Sequence, residues 1–180
     1  MNICITGYRP SKLPSEYGYD IHNAAWQNLK RTFMDVSLFL WTKNQNLHIF
    51  TGMALGVDQA FAEAAFVLQK QVPHISVTAA IPCYNQEVKW PVSSRELYHE
   101  ILSHCNQSIH VTKSTFTKNC MEIRNRFMVN NSQIVVAVYD GENGGTKNCI
   151  NYARRQGKPV VTISPVTLQI CCSHDFWELV

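Results

Sequence analysis

Residues 47–70, LHIFTGMALGVDQAFAEAAFVLQK, constrain the fold more than any other stretch of this chain. Leu47 to Thr51 is a short apolar, β-branched and aromatic run of strand length. Gly52-Met53-Ala54-Leu55-Gly56 follows as a turn with glycine at both ends, where positive φ or close backbone approach costs little. From Val57, the residues Val57, Ala60, Phe61, Ala64, Phe66, Val67 and Leu68 recur at helical spacing around Asp58, Gln59 and Glu63. Strand, glycine turn and helix in that order form a device for holding phosphate. The helix start offers unpaired N–H groups and partial positive charge, and glycine lets an anion approach the backbone. The same order also serves as a tight βα connection with no ligand, so the local fold is set here and the chemistry is not.

The rest of the chain repeats the alternation. Asn2 to Thr6 reads as a strand, and residues 23–43 as a long amphipathic helix with Ala25, Leu29, Phe33, Val36, Phe39 and Leu40 on one face. Strands at Ile75–Ile81 and Ser108–Val111 alternate with helices from about Ser93 or Ser94 to Ser103 and from Met121 to Asn130. Gln133–Tyr139 is nearly all apolar, as a buried parallel strand should be. A helix from about Lys147 to Gln156, the stop signal Gly157-Lys158-Pro159 and a sixth strand at Val160–Ile163 complete the series. Such alternation predicts an α/β fold, a doubly wound, mainly parallel sheet of about six strands with helices on both faces. One domain over residues 1–180 suits the length. Residues 166–180 form an apolar tail expected to pack on the body or at a dimer contact, so a homodimer or higher homo-oligomer is expected.

Composition removes several functional classes. Apolar residues at 46% and charged residues at 16% fit a globular protein. A net charge of +3, spread along the chain, does not describe a dedicated nucleic-acid binder, although it tolerates an anionic ligand. No apolar run approaches the ~20 residues of a membrane span. The chain enters a strand almost at once without a basic, apolar leader, so a cytoplasmic protein is expected. Seven cysteines, odd in number and without Cys-x-x-Cys, indicate neither a disulfide framework nor zinc, and the seven histidines show no metal spacing. No metal and no required cofactor are expected.

Ligands of doubly wound sheets bind outside the carboxyl ends of the strands. The glycine-bearing or polar turns Thr6-Gly7, Thr51-Gly52, Pro82 to Gln86 and Asp140 to Thr146 all fall at such ends. Arg9 follows the first of them, where a forked guanidinium suits phosphate or carboxylate. The loop 11–22 carries Tyr17 and Tyr19, which either stack on a base or cover the core. Gln86, Glu87 and Trp90 combine hydrogen-bonding groups with a flat ring suited to a nucleobase, although Trp beside Pro also simply packs. On the helix from Met121, Arg124 and Met128 share a face while Arg126 points elsewhere. Gly144, Gly145 and Thr146 repeat the glycine-turn device, with Thr146 placed to cap or to bind phosphate. The convergence points to an anionic, nucleotide-like ligand. No turn matches Gly-x-Gly-x-x-Gly or a P-loop, which disfavours ordinary dehydrogenases and ATPases.

Five motifs in order resemble the YpsA-like branch of the SLOG superfamily, which also groups the DNA-processing protein DprA (Smf) and the LOG ("Lonely guy") enzymes. They are Thr6-Gly7-Tyr8-Arg9-Pro10; Thr51-Gly52-Met53-Ala54-Leu55-Gly56-Val57-Asp58; Ile81-Pro82-Cys83 with Gln86-Glu87 and Trp90-Pro91; Arg124-Asn125-Arg126-Phe127-Met128-Val129; and Asp140-Gly141 with Gly144-Gly145-Thr146. The resemblance runs from Thr6 to about Pro165. It implies a Rossmann-like fold that binds nucleotides or their derivatives at its strand ends.

Activity is where this sequence departs from its relatives. LOG enzymes are phosphoribohydrolases that use an arginine, which Arg124 resembles, and a glutamate three residues after the threonine of Gly-Gly-x-Gly-Thr-x-x-Glu. Here that position is Cys149, and a thiol is a poor replacement at an oxocarbenium-like centre. If the chain is an enzyme, Arg124 with Glu87 or Asp140 would have to act. DprA-like proteins bind single-stranded DNA, for which a charge of +3 gives little support. Other SLOG domains are linked to sensing of NAD-derived and ADP-ribose-derived, including cyclic, nucleotide signals. The leading expectation is therefore a non-catalytic nucleotide-binding protein, a sensor or sequestering protein. Gly52, Met53, Gly56, Gly144, Gly145 and Thr146 would hold phosphate beside Thr6, Gly7 and Thr51, and Arg9 and Arg124 would neutralise it. Asp58 or Asp140 would take ribose, Gln86 or Trp90 the base, and Asn125 and Met128 would complete the site. A nucleotide N-glycosidic hydrolase and a single-stranded DNA binder are the alternatives.

Overall fold

Ile134–Val138 (β5) is apolar and buried at every position because both faces of the sheet around it are covered. The computed structural model describes residues 1–180 and contains one seven-stranded sheet. Its other strands are Asn2–Thr6 (β1), Leu47–Thr51 (β2), Ile75–Ile81 (β3), Gln107–His110 (β4), Val160–Ile163 (β6) and Ile170–Cys172 (β7). The helices are Ala24–Asn44 (α1), Val57–Gln69 (α2), Val92–His104 (α3), Cys120–Asn130 (α4), Gly145–Arg155 (α5) and the single turn Phe176–Leu179 (α6). The strand order is β4-β3-β2-β1-β5-β6-β7, parallel from β4 through β6.

Alternation along the strands sends side chains to two cores. Ile3, Ile5, Ile49, Val77 and Val136 face α1, α2 and α3, packing with Trp26, Leu29, Phe33, Phe61 and Ile101. Cys4, Phe50, Val135 and Ala137 face α4 and α5, packing with Met128, Val129, Cys149, Ile150 and Ala153. The fold is thus the doubly wound, Rossmann-like sheet that the alternation predicts. Asn23 caps α1, its side chain accepting from the Trp26 N–H at 3.2 Å, which explains why that helix begins where it does.

Two segments differ from the sequence reading. The tail contributes a seventh strand, with Ile170–Cys172 running antiparallel to β6. Three residues with no alternation give too little pattern to recognise. Beyond it, Phe176 is buried and stacks on Phe39 at 6.2 Å, so this tail packs on the body. The loop 11–22 opens with a 3-10 turn, Pro10–Lys12, and then buries Leu13, Tyr17 and Ile21 in the larger core. Tyr17 covers that core: it meets Trp26 edge-on at 4.9 Å and donates its hydroxyl to the Pro165 carbonyl at 2.7 Å. Tyr19 is exposed. No helix is long and apolar enough to cross a membrane.

From β1 the chain winds outward to β4 on one side and from β5 to β7 on the other. The reversal falls between β1 and β5, paired in register from Ile3↔Ile134 to Thr6↔Ala137. A crevice opens outside the carboxyl ends of strands at such a point.

Candidate functional site at the β1–β5 crevice

The segment after β5, Asp140 to Gly144, is tied down before α5 begins. The Tyr8 hydroxyl donates to Asp140 Oδ1 at 2.7 Å, and the Glu142 N–H donates to the same oxygen at 3.3 Å. Lys12 Nζ donates to the Asn143 carbonyl at 3.2 Å. Asp140 is therefore an anchor joining the turns after β1 and β5. Gly144 takes the position before α5 with φ 154°, and no side chain caps the helix. The first N–H groups of α5 face the crevice without a side-chain acceptor. A Cβ placed on Gly145 would meet no atom within 4 Å.

A cavity of about 380 Å³ elsewhere, between α1 and α2, is built around the Lys30–Glu63 ion pair. The cavity at the crevice holds about 350 Å³. Its floor is Thr6, Gly7 and the start of α5 at Gly144, Gly145 and Thr146. Arg9 and Lys12, both exposed, stand at its mouth, and neither is in an ion pair. Asp58, Arg124 and Asn125 close the side toward α2 and α4.

The first glycine turn is built differently, although it reads alike in sequence. Gly52 lies directly under the Arg124 guanidinium, which a Cβ would overlap. Gly56 has φ +91°, and a Cβ there would lie 2.8 Å from Pro10 Cδ. The turn uses its own donors. The Met53 N–H bonds to Thr51 Oγ1 at 3.3 Å, the Ala54 N–H to Asp58 Oδ2 at 3.2 Å, and Thr51 Oγ1 donates to the Asp58 carbonyl at 2.8 Å. Met53 itself is buried at φ 55°, and Gln86 donates to its carbonyl at 3.4 Å.

Arg124 and Asp58 form a buried ion pair at 3.5 Å, with about 6% of each side chain exposed. Arg124 Nε also donates to Asn125 Oδ1 at 2.8 Å. Burial pushes the Asp58 carboxyl upward, opposed by Arg124, by the Ala54 N–H and by Arg9. Its charge is matched to Arg124 rather than directed at a free cation. Cys149, where a glutamate would be expected in a hydrolase, lies 2% exposed beneath Thr6. Burial raises its thiol to about 11, with a Thr6 hydrogen bond and the Arg124 charge pulling the other way. At neutral pH it is a protonated thiol, neither an acid–base group nor a nucleophile.

The structure thus gathers Thr6, Gly7, Arg9, Asp58, Arg124, Asn125, Gly144, Gly145 and Thr146 around one cavity. Thr51, Gly52, Met53 and Gly56 sit behind it as the packed turn, and Met128 is in the smaller core. Gln86 lies under Met53, while Trp90 packs edge-on against Tyr98 at 5.5 Å; neither lines the cavity. Glu87 lies outside it too, 3.8 Å from His99. Tyr8, Lys12, Ala54 and Met121 also line the cavity; Tyr8 and Ala54 belong to the sequence motifs, but none of the four was assigned a role from the sequence. Nothing local in the sequence marked Lys12, which ends the 3-10 turn that opens this loop.

Comparison with known proteins finds sequence relatives and a shared fold. The sequence model of the YpsA family, described as the YspA SLOG family, matches residues 3–168. The SPbeta prophage-derived protein YoqJ of Bacillus subtilis (strain 168) is 33% identical over 144 residues, 74% of this chain and 84% of that one. A UPF0398 protein of Bacillus cereus (strain B4264) is 28% identical over 162 residues, 87% of this chain and 84% of its own. Among solved structures, DNA processing protein A from Helicobacter pylori, described for its single-stranded DNA binding mode, superposes with TM-score 0.60 at 20% identity over 91% of this chain. DprA from Streptococcus pneumoniae gives TM-score 0.58 at 19% identity over 90% of this chain. This chain spans 65% and 50% of those two proteins, and at such identity the likeness is one of fold.

Proposed function

Because this chain belongs to the YspA SLOG family, we propose that it binds a nucleotide or an NAD- or ADP-ribose-derived nucleotide at the β1–β5 crevice, as a sensor or sequestering protein. The observation that carries this reading is the uncapped start of α5, open at Gly145 and faced by the unpaired cations Arg9 and Lys12. Backbone N–H groups at a helix start with two cations opposite suit a phosphate. Asn125 and Thr146 offer hydrogen bonds to a ribose or a second phosphate oxygen. Arg124 is matched by Asp58 beneath the cavity, so the charge left for a ligand is that of Arg9 and Lys12. With a protonated, buried Cys149 at the position of the hydrolase glutamate, the site is read as a holder and not as an N-glycosidic hydrolase. Single-stranded DNA binding is the second reading, favoured by the likeness to the Helicobacter pylori protein.

The test is a thermal melt of the protein with AMP, NAD, ADP-ribose and cyclic ADP-ribose isomers, each mixture then chromatographed for products. A ligand at about 100 times its Kd should raise the Tm by roughly 5–10 °C. No free base or nicotinamide should form. Gly145→Ala should keep the unliganded Tm, since its Cβ meets no protein atom, and should lose the ligand shift. A shift unaltered in Gly145→Ala would place the ligand elsewhere, and product in proportion to protein would make the chain a hydrolase.

A further inference from the structure

A second cavity of about 440 Å³ adjoins the first, in the groove between α4 and α5. The two share Met121, Asn125 and Gly145 in their walls. Each alone is within the size range of small-molecule sites, so together they exceed what one mononucleotide needs. The second cavity follows α5 from Gly145 to Arg155, a rise of about 15 Å.

Its chemistry is that of an anion site. Lys118, Arg126 and Arg155 line it against a single carboxylate, Glu122. Arg126 is already bonded to Glu122 at 2.6 Å and lies over the Tyr152 ring at 5.3 Å, so that pair cancels. Lys118 and Arg155 are in no ion pair. Asn125 stands at the junction with its Oδ1 occupied by Arg124 Nε, which leaves its amide N–H groups as donors toward the cavities. Asn148 and Asn151 add amides along the α5 wall.

We propose that the α4–α5 groove is a second subsite, taking the phosphate-linked continuation of a nucleotide whose first phosphate lies at the start of α5. This rests on the nucleotide reading of the first cavity. The ligand class is two nucleoside or ribose units joined through phosphate, by pyrophosphate or phosphodiester. A longer strand fits less well. Nucleic-acid grooves offer aromatic platforms to successive bases, whereas Tyr8 is buried with its hydroxyl on Asp140 and the Tyr152 ring is covered by Arg126.

Titration of the wild type and of the double variant Lys118→Ala/Arg155→Ala with AMP, ADP-ribose, the 5′-phosphorylated dinucleotide pApA and a five-residue oligoadenylate tests this. Both substituted residues are exposed, and unchanged melting of the variant shows that it is folded. AMP should bind both proteins alike. Either ADP-ribose or pApA should bind the wild type at least about tenfold more tightly than AMP, and the variant should lose that advantage. The better of the two identifies the linkage. AMP binding with no gain from either dinucleotide, or a gain the variant keeps, would overturn the second subsite alone. Binding of none of the four would overturn the first cavity's reading with it. An oligomer held more than about tenfold more tightly than pApA would replace the dinucleotide by a nucleic-acid strand.

Discussion

Arg124 shows how one side chain has both a structural and an electrostatic task. It joins α4 to α2 through Asp58, across 66 residues of sequence, and fills the space that Gly52 leaves. An ion pair with so little exposure gives small net stability, but removing one partner strands the other in a low dielectric. Asp58→Ala should therefore destabilise the protein by about 3–5 kcal/mol in urea unfolding, and Asp58→Ala/Arg124→Met should recover part of that loss. A double variant no more stable than the single one would mean that the cost comes from the bond to the Ala54 N–H instead. The arrangement also changes what Arg124 offers a ligand. Its charge is taken up by Asp58 beneath the cavity, while the exposed Arg9 and Lys12, which stand in no ion pair, are the cations left for a phosphate.

At the scale of elements, the two strand–glycine–helix units look interchangeable in sequence and are opposites in the structure. After β2 the glycines accept neighbours, Arg124 over Gly52 and Pro10 against Gly56; after β5, Gly145 has nothing within 4 Å. Gly52→Ala should thus cost about 1–3 kcal/mol, as overpacking does, in contrast to a neutral Gly145→Ala, and parallel melts of the two variants check the contrast. Equal, small effects would mean that Arg124 yields its place freely. The strands and helices up to β6 were legible, because period-two and period-3.6 patterns are local, and observed ends differ from expected ones by only a residue or two, whereas the short β7 and α6 of the tail carried no pattern. What local pattern does not carry is which glycine turn is filled from afar, since Arg124 and Pro10 arrive from distant parts of the chain. Lys12 lay hidden for the same reason, in a loop whose path is set by Tyr17 and Ile21 entering the core.

The whole molecule closes its far edge with the tail. β7 covers β6, and α6 then places Phe176 against α1 while Trp177 stays 65% exposed. Phe39 touches both rings, at 6.2 Å and 6.4 Å, so the sequence alone gives no reason to rank one aromatic above the other. Burial ranks them. Phe176→Ala should cost about 3–5 kcal/mol in chemical unfolding, the usual loss for a buried Phe, by opening a void under the sheet edge. Trp177→Ala should stay within about 0.5 kcal/mol in a monomeric protein. The same pair of variants reads the expectation of a homo-oligomer, because Trp177, Leu179 and Leu38 leave apolar surface beside Phe39. If that surface joins two copies, Trp177→Ala should lower the stability in a manner that depends on protein concentration, and sedimentation of the variant should show a lighter species than the wild type. A Trp177→Ala melt independent of concentration, beside a strongly destabilised Phe176→Ala, would make the tail a brace of the monomer and leave the β1–β5 crevice complete within one chain.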